Sequence, residues 1–162
     1  MYRTLGGIAP ASPGYASVTI APQISRTLDP ASANASVKTV RGVVTSNWTR
    51  HELTTESCRR EGSRMGSRAR GLAARLTMRV SVPVGATGEL QVPLLGHTSE
   101  TVVLAACDLG SDEEPTVIWA AGRDVSATGA SAWRHGEVIA EADRIVLSVA
   151  AAALELTLRV SC

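Results

Sequence analysis

The segment LAARLTMRVSVPVGATGELQVPL, residues 72–94, alternates apolar Leu76, Met78, Val80, Val82 and Val84 with Arg75, Thr77, Arg79, Ser81 and Pro83. A repeat of two marks a strand with one face dry and one face wet. Gly85-Ala86-Thr87-Gly88 permits a reversal, because glycine accepts positive φ, and Leu90, Val92 and Leu94 then resume the alternation against Glu89, Gln91 and Pro93. The pattern predicts a β-hairpin. Such a hairpin is marginal alone and needs a second apolar sheet over its dry face, so the remaining chain is expected to supply that cover.

The chain has 162 residues, a length that suits one domain with a core of its own. Sixteen basic residues against fifteen acidic ones leave a formal charge of +1, so no global field points to nucleic acid or to an anionic membrane. There is no Phe and only 3% of residues are aromatic, so the core must be built from Val, Leu, Ile and Ala. No apolar run reaches the length of about 18 residues that a membrane helix needs, and the first residues lack the features of a signal peptide, which makes a cytoplasmic location the default expectation. The three cysteines Cys58, Cys107 and Cys162 make neither a C-x-x-C pair nor an even set, which argues against a disulfide framework. Cys107, inside the run Val102 to Ala106, reads as a small buried hydrophobe.

Working outward along the chain, Met1 to Ile8 offers barely one helical turn before Gly6-Gly7, and Leu5 and Ile8 have nothing local to pack on. A linker with Pro10, Pro13 and Gly14 leads to a strand from Tyr15 to Pro22 with Ala16, Val18 and Ile20 on one face. Ser36 to Arg41 and Val43 to Arg50 are two extended segments broken by Gly42, with Trp48 as a core anchor. Residues 51–71 carry five arginines, three glutamates and no apolar rhythm, and read as a flexible insert. Thr101 to Leu109 reads as a strand buried on both faces, and Thr116 to Ala121 as another strand. For Val138 to Val149 and Leu154 to Val160 a hairpin competes with a helix over about Glu137 to Leu154. The β-branched Ile145, Val146 and Val149 favour the hairpin. Strands at this spacing predict an all-β fold, an antiparallel, jelly-roll-like β-sandwich with a short N-terminal helical stub.

No catalytic constellation is visible. The acids Asp112, Glu113 and Glu114 fit a solvated turn and lack the spacing of a calcium loop. His51, His97 and His135 are scattered without metal-ligand spacing, and no nucleophile elbow, phosphate loop or dinucleotide fingerprint occurs, so no catalytic residue, metal or cofactor is expected. Trp48 and Trp119 sit in apolar segments. This leaves Trp133, beside Arg134 and His135, as the candidate sugar-stacking platform.

Several ordered features resemble a known family. Tyr2-Arg3-Thr4-Leu5-Gly6-Gly7-Ile8, then Pro13-Gly14-Tyr15 and Ile20-Ala21-Pro22-Gln23, are similar to the junction in bacterial-type α-L-rhamnosidases, where the last helix of the catalytic α/α barrel passes into a C-terminal β-sandwich. Val40-Arg41-Gly42 with Trp48, and Val82-Pro83-Val84-Gly85-Ala86-Thr87 with Val92-Pro93, resemble later strands of that domain. The resemblance implies that residues 1–14 are the end of a barrel helix and a linker, that residues 15–162 are the sandwich, and that Met1 is internal to a longer product. It implies a non-catalytic accessory domain that buttresses the barrel of a glycoside hydrolase acting on terminal α-L-rhamnosides, the catalytic acids lying upstream. Tyr2, Leu5, Ile8 and Tyr15 would form the barrel-docking seam. A free-standing carbohydrate-binding module using Trp133 and His135, an interaction module recruiting an acidic partner through the arginine-rich insert, and a remnant without function are the other readings.

Overall fold

The computed structural model describes residues 3–25, 30–52, 72–110, 114–125 and 136–161. Two sheets face each other across one aliphatic core. The smaller is formed by β1 (Ile8–Pro10), β2 (Ser17–Ile20), β6 (Thr87–Pro93), β11 (Arg144–Val149) and β10 (Val138–Ala140), in that spatial order. The larger runs β3 (Ser32–Thr39), β4 (Gly42–Glu52), β5 (Leu72–Val82), β12 (Ala152–Ser161), β7 (Val102–Asp108), β8 (Thr116–Ala120) and β9 (Arg123–Asp124). All pairings are antiparallel except β2 with β6. The sandwich expected from the alternation is therefore present.

Register converts the alternation into rows. Trp48, Met78, Leu156 and Ala106 are partners across β4, β5, β12 and β7, and all four are buried. The smaller sheet answers with Val18, Ile20, Leu90, Val92, Ile145 and Leu147. Burying side chains of this kind contributes roughly 1.5–3 kcal/mol each, so the facing rows rather than any local propensity hold the strands in place.

The predicted hairpin of residues 72–94 is corrected by the pairing. β5 pairs with β4 and β12, whereas β6 pairs with β2 and β11 in the other sheet. The segment between them is an arch that crosses the core's edge, closed by a hydrogen bond from Ala86 N to the Pro83 carbonyl at 3.1 Å. Alternation says which face of each strand is dry but not whether two strands lie side by side or face to face. Here a Cβ on Gly88 would stand 2.7 Å from Cγ2 of Val82, so the glycine leaves room for Val82 to pack directly over the opposite strand. Val84, counted with the apolar face, projects from the arch at 87% exposure.

The closing segments repeat the device. They are strands, not helix, but β11 and β12 lie in different sheets rather than in a hairpin, joined across Ala150 and Ala151. Gly88 pairs with Val149 and Val82 with Ala152, so the two arches stack on each other at one edge. True hairpins join β1 to β2, β3 to β4, β7 to β8, β8 to β9 and β10 to β11.

Three further expectations change. β7 is buried on one face only: Val102, Leu104 and Ala106 point inward, while Val103, Ala105 and Cys107 are half-buried on the other side. Cys107 is thus no core residue. Its outward place opposite Glu155 raises the thiol pKa, through partial burial first and then the Glu155 and Asp108 charges. Ile8, expected to lack a local partner, is completely buried as a member of β1, paired with Ile20. The helical element described near the N-terminus is a single 3-10 turn at Pro13–Tyr15.

Gly7 is the tightest point of that N-terminal stretch. At φ +68° an added Cβ would lie 2.1 Å from the Ala21 carbonyl carbon, inside the backbone of the neighbouring segment. Gly96 has a similar φ of +79° but open space around it. Gly7→Ala is expected to cost on the order of 3 kcal/mol or to prevent folding, and Gly96→Ala about 1–2 kcal/mol, the left-handed backbone penalty alone. Denaturant unfolding of the two variants checks this, and equal losses would contradict it.

Candidate functional site

Of the residues proposed for sugar stacking, Trp133 and His135 lie outside the described residues, as do Tyr2 of the seam, Cys58, Cys162 and nearly all of the 51–71 insert. His51 and Glu52 are the exceptions and form the end of β4. No group of three or more His, Cys, Asp or Glu among the described residues is placed to hold a metal. No described helix is long and apolar enough to cross a membrane.

The acids with defined partners are held in structural pairs. Arg144 donates to both carboxylate oxygens of Asp143 at 2.7 and 2.8 Å, and to Oε1 of Gln91 at 2.7 Å, with Glu141 at 3.5 Å. The hydrogen bonds from Arg144 lower the Asp143 pKa, which keeps the carboxylate ionised at the turn between β10 and β11. A carboxyl tuned this way is a poor general acid, since a proton donor near neutral pH needs its pKa raised. On the outer face of the larger sheet Arg79 Nε donates to Glu155 Oε2 at 2.6 Å.

The better-built feature is the N-terminal seam. Gln23 N donates to the Thr4 carbonyl at 3.0 Å, Ala21 N to the Gly7 carbonyl at 2.9 Å, and Trp48 Nε1 to the Leu5 carbonyl at 2.6 Å. β1 extends the smaller sheet by pairing with β2, while the indole fastens the same segment to β4 of the larger one. Residues 3–10 therefore bridge both sheets. The seam residues expected from the resemblance divide accordingly. Ile8 faces inward and is used up in the core, whereas Leu5 and Tyr15 are half-buried and keep surface for a neighbour.

Arg50 was not singled out in the sequence, although the inward set Val44, Ser46, Trp48 put it on the core face. It is 8% exposed, donates through Nη1 to the Ser25 carbonyl, and its backbone N–H donates to the Ala31 carbonyl at 2.7 Å. The Ser25 carbonyl replaces part of the water the guanidinium loses on burial.

Comparison with known proteins bears on this seam. Residues 7–57 match the family model of the bacterial alpha-L-rhamnosidase C-terminal domain, a stretch that holds Gly7, Ile8, Trp48 and Arg50. No curated protein matches the chain. Among solved structures, the alpha-L-rhamnosidase from Dictyoglumus thermophilum superposes with a TM-score of 0.59 at 20% identity, over 98% of this chain and 13% of that one. The Streptomyces avermitilis alpha-L-rhamnosidase complexed with L-rhamnose gives 0.55 at 21% identity, over 97% of this chain and 10% of that one. These likenesses support the fold, and the chain spans only about an eighth and a tenth of the two structures' lengths.

Because the indole N–H is the described link between the Leu5 carbonyl and β4, Trp48→Phe is expected to lower stability by roughly 2 kcal/mol, from a lost hydrogen bond and a small cavity. Amide exchange at Gln23, whose N–H bonds to Thr4, should quicken in the same variant. An unchanged unfolding midpoint and unchanged exchange would contradict the seam's role.

Proposed function

We propose, from the resemblance to the C-terminal domain of bacterial α-L-rhamnosidases, that this chain serves as a non-catalytic accessory domain buttressing the catalytic α/α barrel of an α-L-rhamnosidase-like glycoside hydrolase. The observation that carries the reading is the match over residues 7–57, because that stretch takes in Gly7 and Ile8 of the segment tied into both sheets and Trp48, whose indole makes one of the ties. A segment anchored at Gly7, Ile8 and Trp48 gives a preceding domain a firm point of attachment, since load on it is passed to both sheets rather than to a loose leader. Leu5 and Tyr15 would present the apolar surface at the junction, with hydrolysis of terminal α-L-rhamnosides performed upstream.

Two experiments test this. The purified chain is expected to release no product from an aryl α-L-rhamnoside, and turnover that follows the chain through purification would overturn the non-catalytic assignment. Replacing the corresponding segment of the Streptomyces avermitilis enzyme with this chain is expected to keep the barrel folded, and Leu5→Asp or Tyr15→Asp to lower the chimera's Tm without lowering that of the isolated chain. An indifferent chimera would remove the buttressing role.

A further inference from the structure

The outward face of the larger sheet holds a groove of about 620 Å³ between β3 and β12. Side chains of β3, β4 and β5 line it together with Glu155 of β12, and register carries their cross-strand rows on to Thr157 and Arg159, beside the lining on the same face. In one row Asn47, Arg79 and Glu155 are neighbours, and the two opposite charges meet at 2.6 Å. In the next, Thr49, Thr77 and Thr157 present three hydroxyls. In the third, His51, Arg75 and Arg159 stand side by side and all are exposed. The first and third rows are four residues apart along β5, or about 14 Å.

The third row is the anomaly. Arg75 and Arg159 are direct partners on β5 and β12, and like charges directly opposite each other in a sheet are destabilising. Four residues away the same two strands pair Arg79 with Glu155, so the sheet readily accommodates the neutralising arrangement. Among the described residues no carboxylate lies within ion-pair distance of Arg75 or Arg159. An arginine pair that has no carboxylate partner among the described residues, with Arg75 lining the groove and Arg159 beside it, matches a bound anion, since a carboxylate accepts charge-assisted hydrogen bonds from guanidinium groups.

The rest of the lining narrows the chemistry. Hydroxyls and an amide both donate and accept, as recognition of a polyol requires. Apart from the exposed His51 and the buried Trp48, the described lining has no aromatic or large aliphatic side chain, which disfavours bases that need stacking and protein partners that need an apolar anchor. We propose that this face binds a carboxylate-bearing oligosaccharide, with Arg75 and Arg159 taking the carboxylate and the Thr77–Thr157 row, with Asn47, taking ring hydroxyls. The site is independent of the buttressing role and stands or falls apart from it.

Calorimetric titration of the full chain at low ionic strength tests the assignment, using a β-1,4-mannuronate tetramer and the neutral β-1,4-mannotetraose, which differs in lacking the carboxylates. The tetramer is expected to bind saturably and mannotetraose not at all. Arg75→Gln and Arg159→Gln should each weaken binding by about tenfold or more, while Arg144→Gln on the other sheet leaves it unchanged. The two groove variants should melt at or above the wild-type temperature, because each relieves a like-charge contact; this separates lost binding from lost fold. Absence of tetramer binding, equal binding of mannotetraose, or full binding by the Arg75 and Arg159 variants would overturn the proposal. So would inorganic phosphate binding as tightly as the tetramer, which would mean a simple anion site, or polyglutamate binding more tightly, which would mean an acidic polypeptide.

Discussion

The contact of Val82 over Gly88 is the constraint around which the sandwich closes. It joins the last inward side chain of β5 to an early inward position of β6 across the core rather than along a sheet. From it the neighbours follow. β12 lies beside β5 and β11 beside β6, and the two-residue crossing at Ala150 and Ala151 stacks on the arch at 83–86. A side chain at position 88 would meet Cγ2 of Val82 at 2.7 Å, so one of the two would have to shift. Small residues at the crossings thus serve packing as much as turning.

The lateral edge at β1 is closed by different means. There the N-terminal segment adds β1 to the smaller sheet and offers the Leu5 carbonyl to Trp48 of the larger one. The central strands of the two sheets are joined at one end by arches within the chain's middle and end, and the edge at β1 is tied by a strap formed from its beginning. This division places the stretch that resembles a domain junction at the point where the sandwich can resist being pulled or tilted. It also explains why Ile8 is unavailable to a partner while Leu5 and Tyr15 keep exposed surface.

The sheets themselves were legible because Val, Leu and Ile recur at every second position in β5, β6 and β12 and because turn residues separate them. Burial of Trp48 and Trp119 followed from the same pattern, and the structure leaves them 2% and 6% exposed. Strand partners were not legible. Leu76 to Val82 and Leu90 to Leu94 look the same in sequence whether they pair or oppose, and only the space over Gly88 distinguishes the cases. Inward placement of Arg50 was present in the alternation, yet the Ser25 carbonyl that accepts from its guanidinium and the Ala31 carbonyl that accepts from its backbone N–H are set by a connection whose path no local pattern encodes. The cationic row of His51, Arg75 and Arg159 was equally hidden, because those residues come from three strands and meet only once register is fixed.

Face-to-face rather than side-by-side placement of β5 and β6 is the claim from which the rest is built. Through-space backbone contacts in an NMR spectrum of the chain test it most directly. The structure requires cross-strand backbone contacts between Met78 and Leu156 and between Leu90 and Leu147, the register partners within each sheet. A ladder of backbone contacts joining β5 directly to β6, as in a hairpin closed at Gly85, would contradict it.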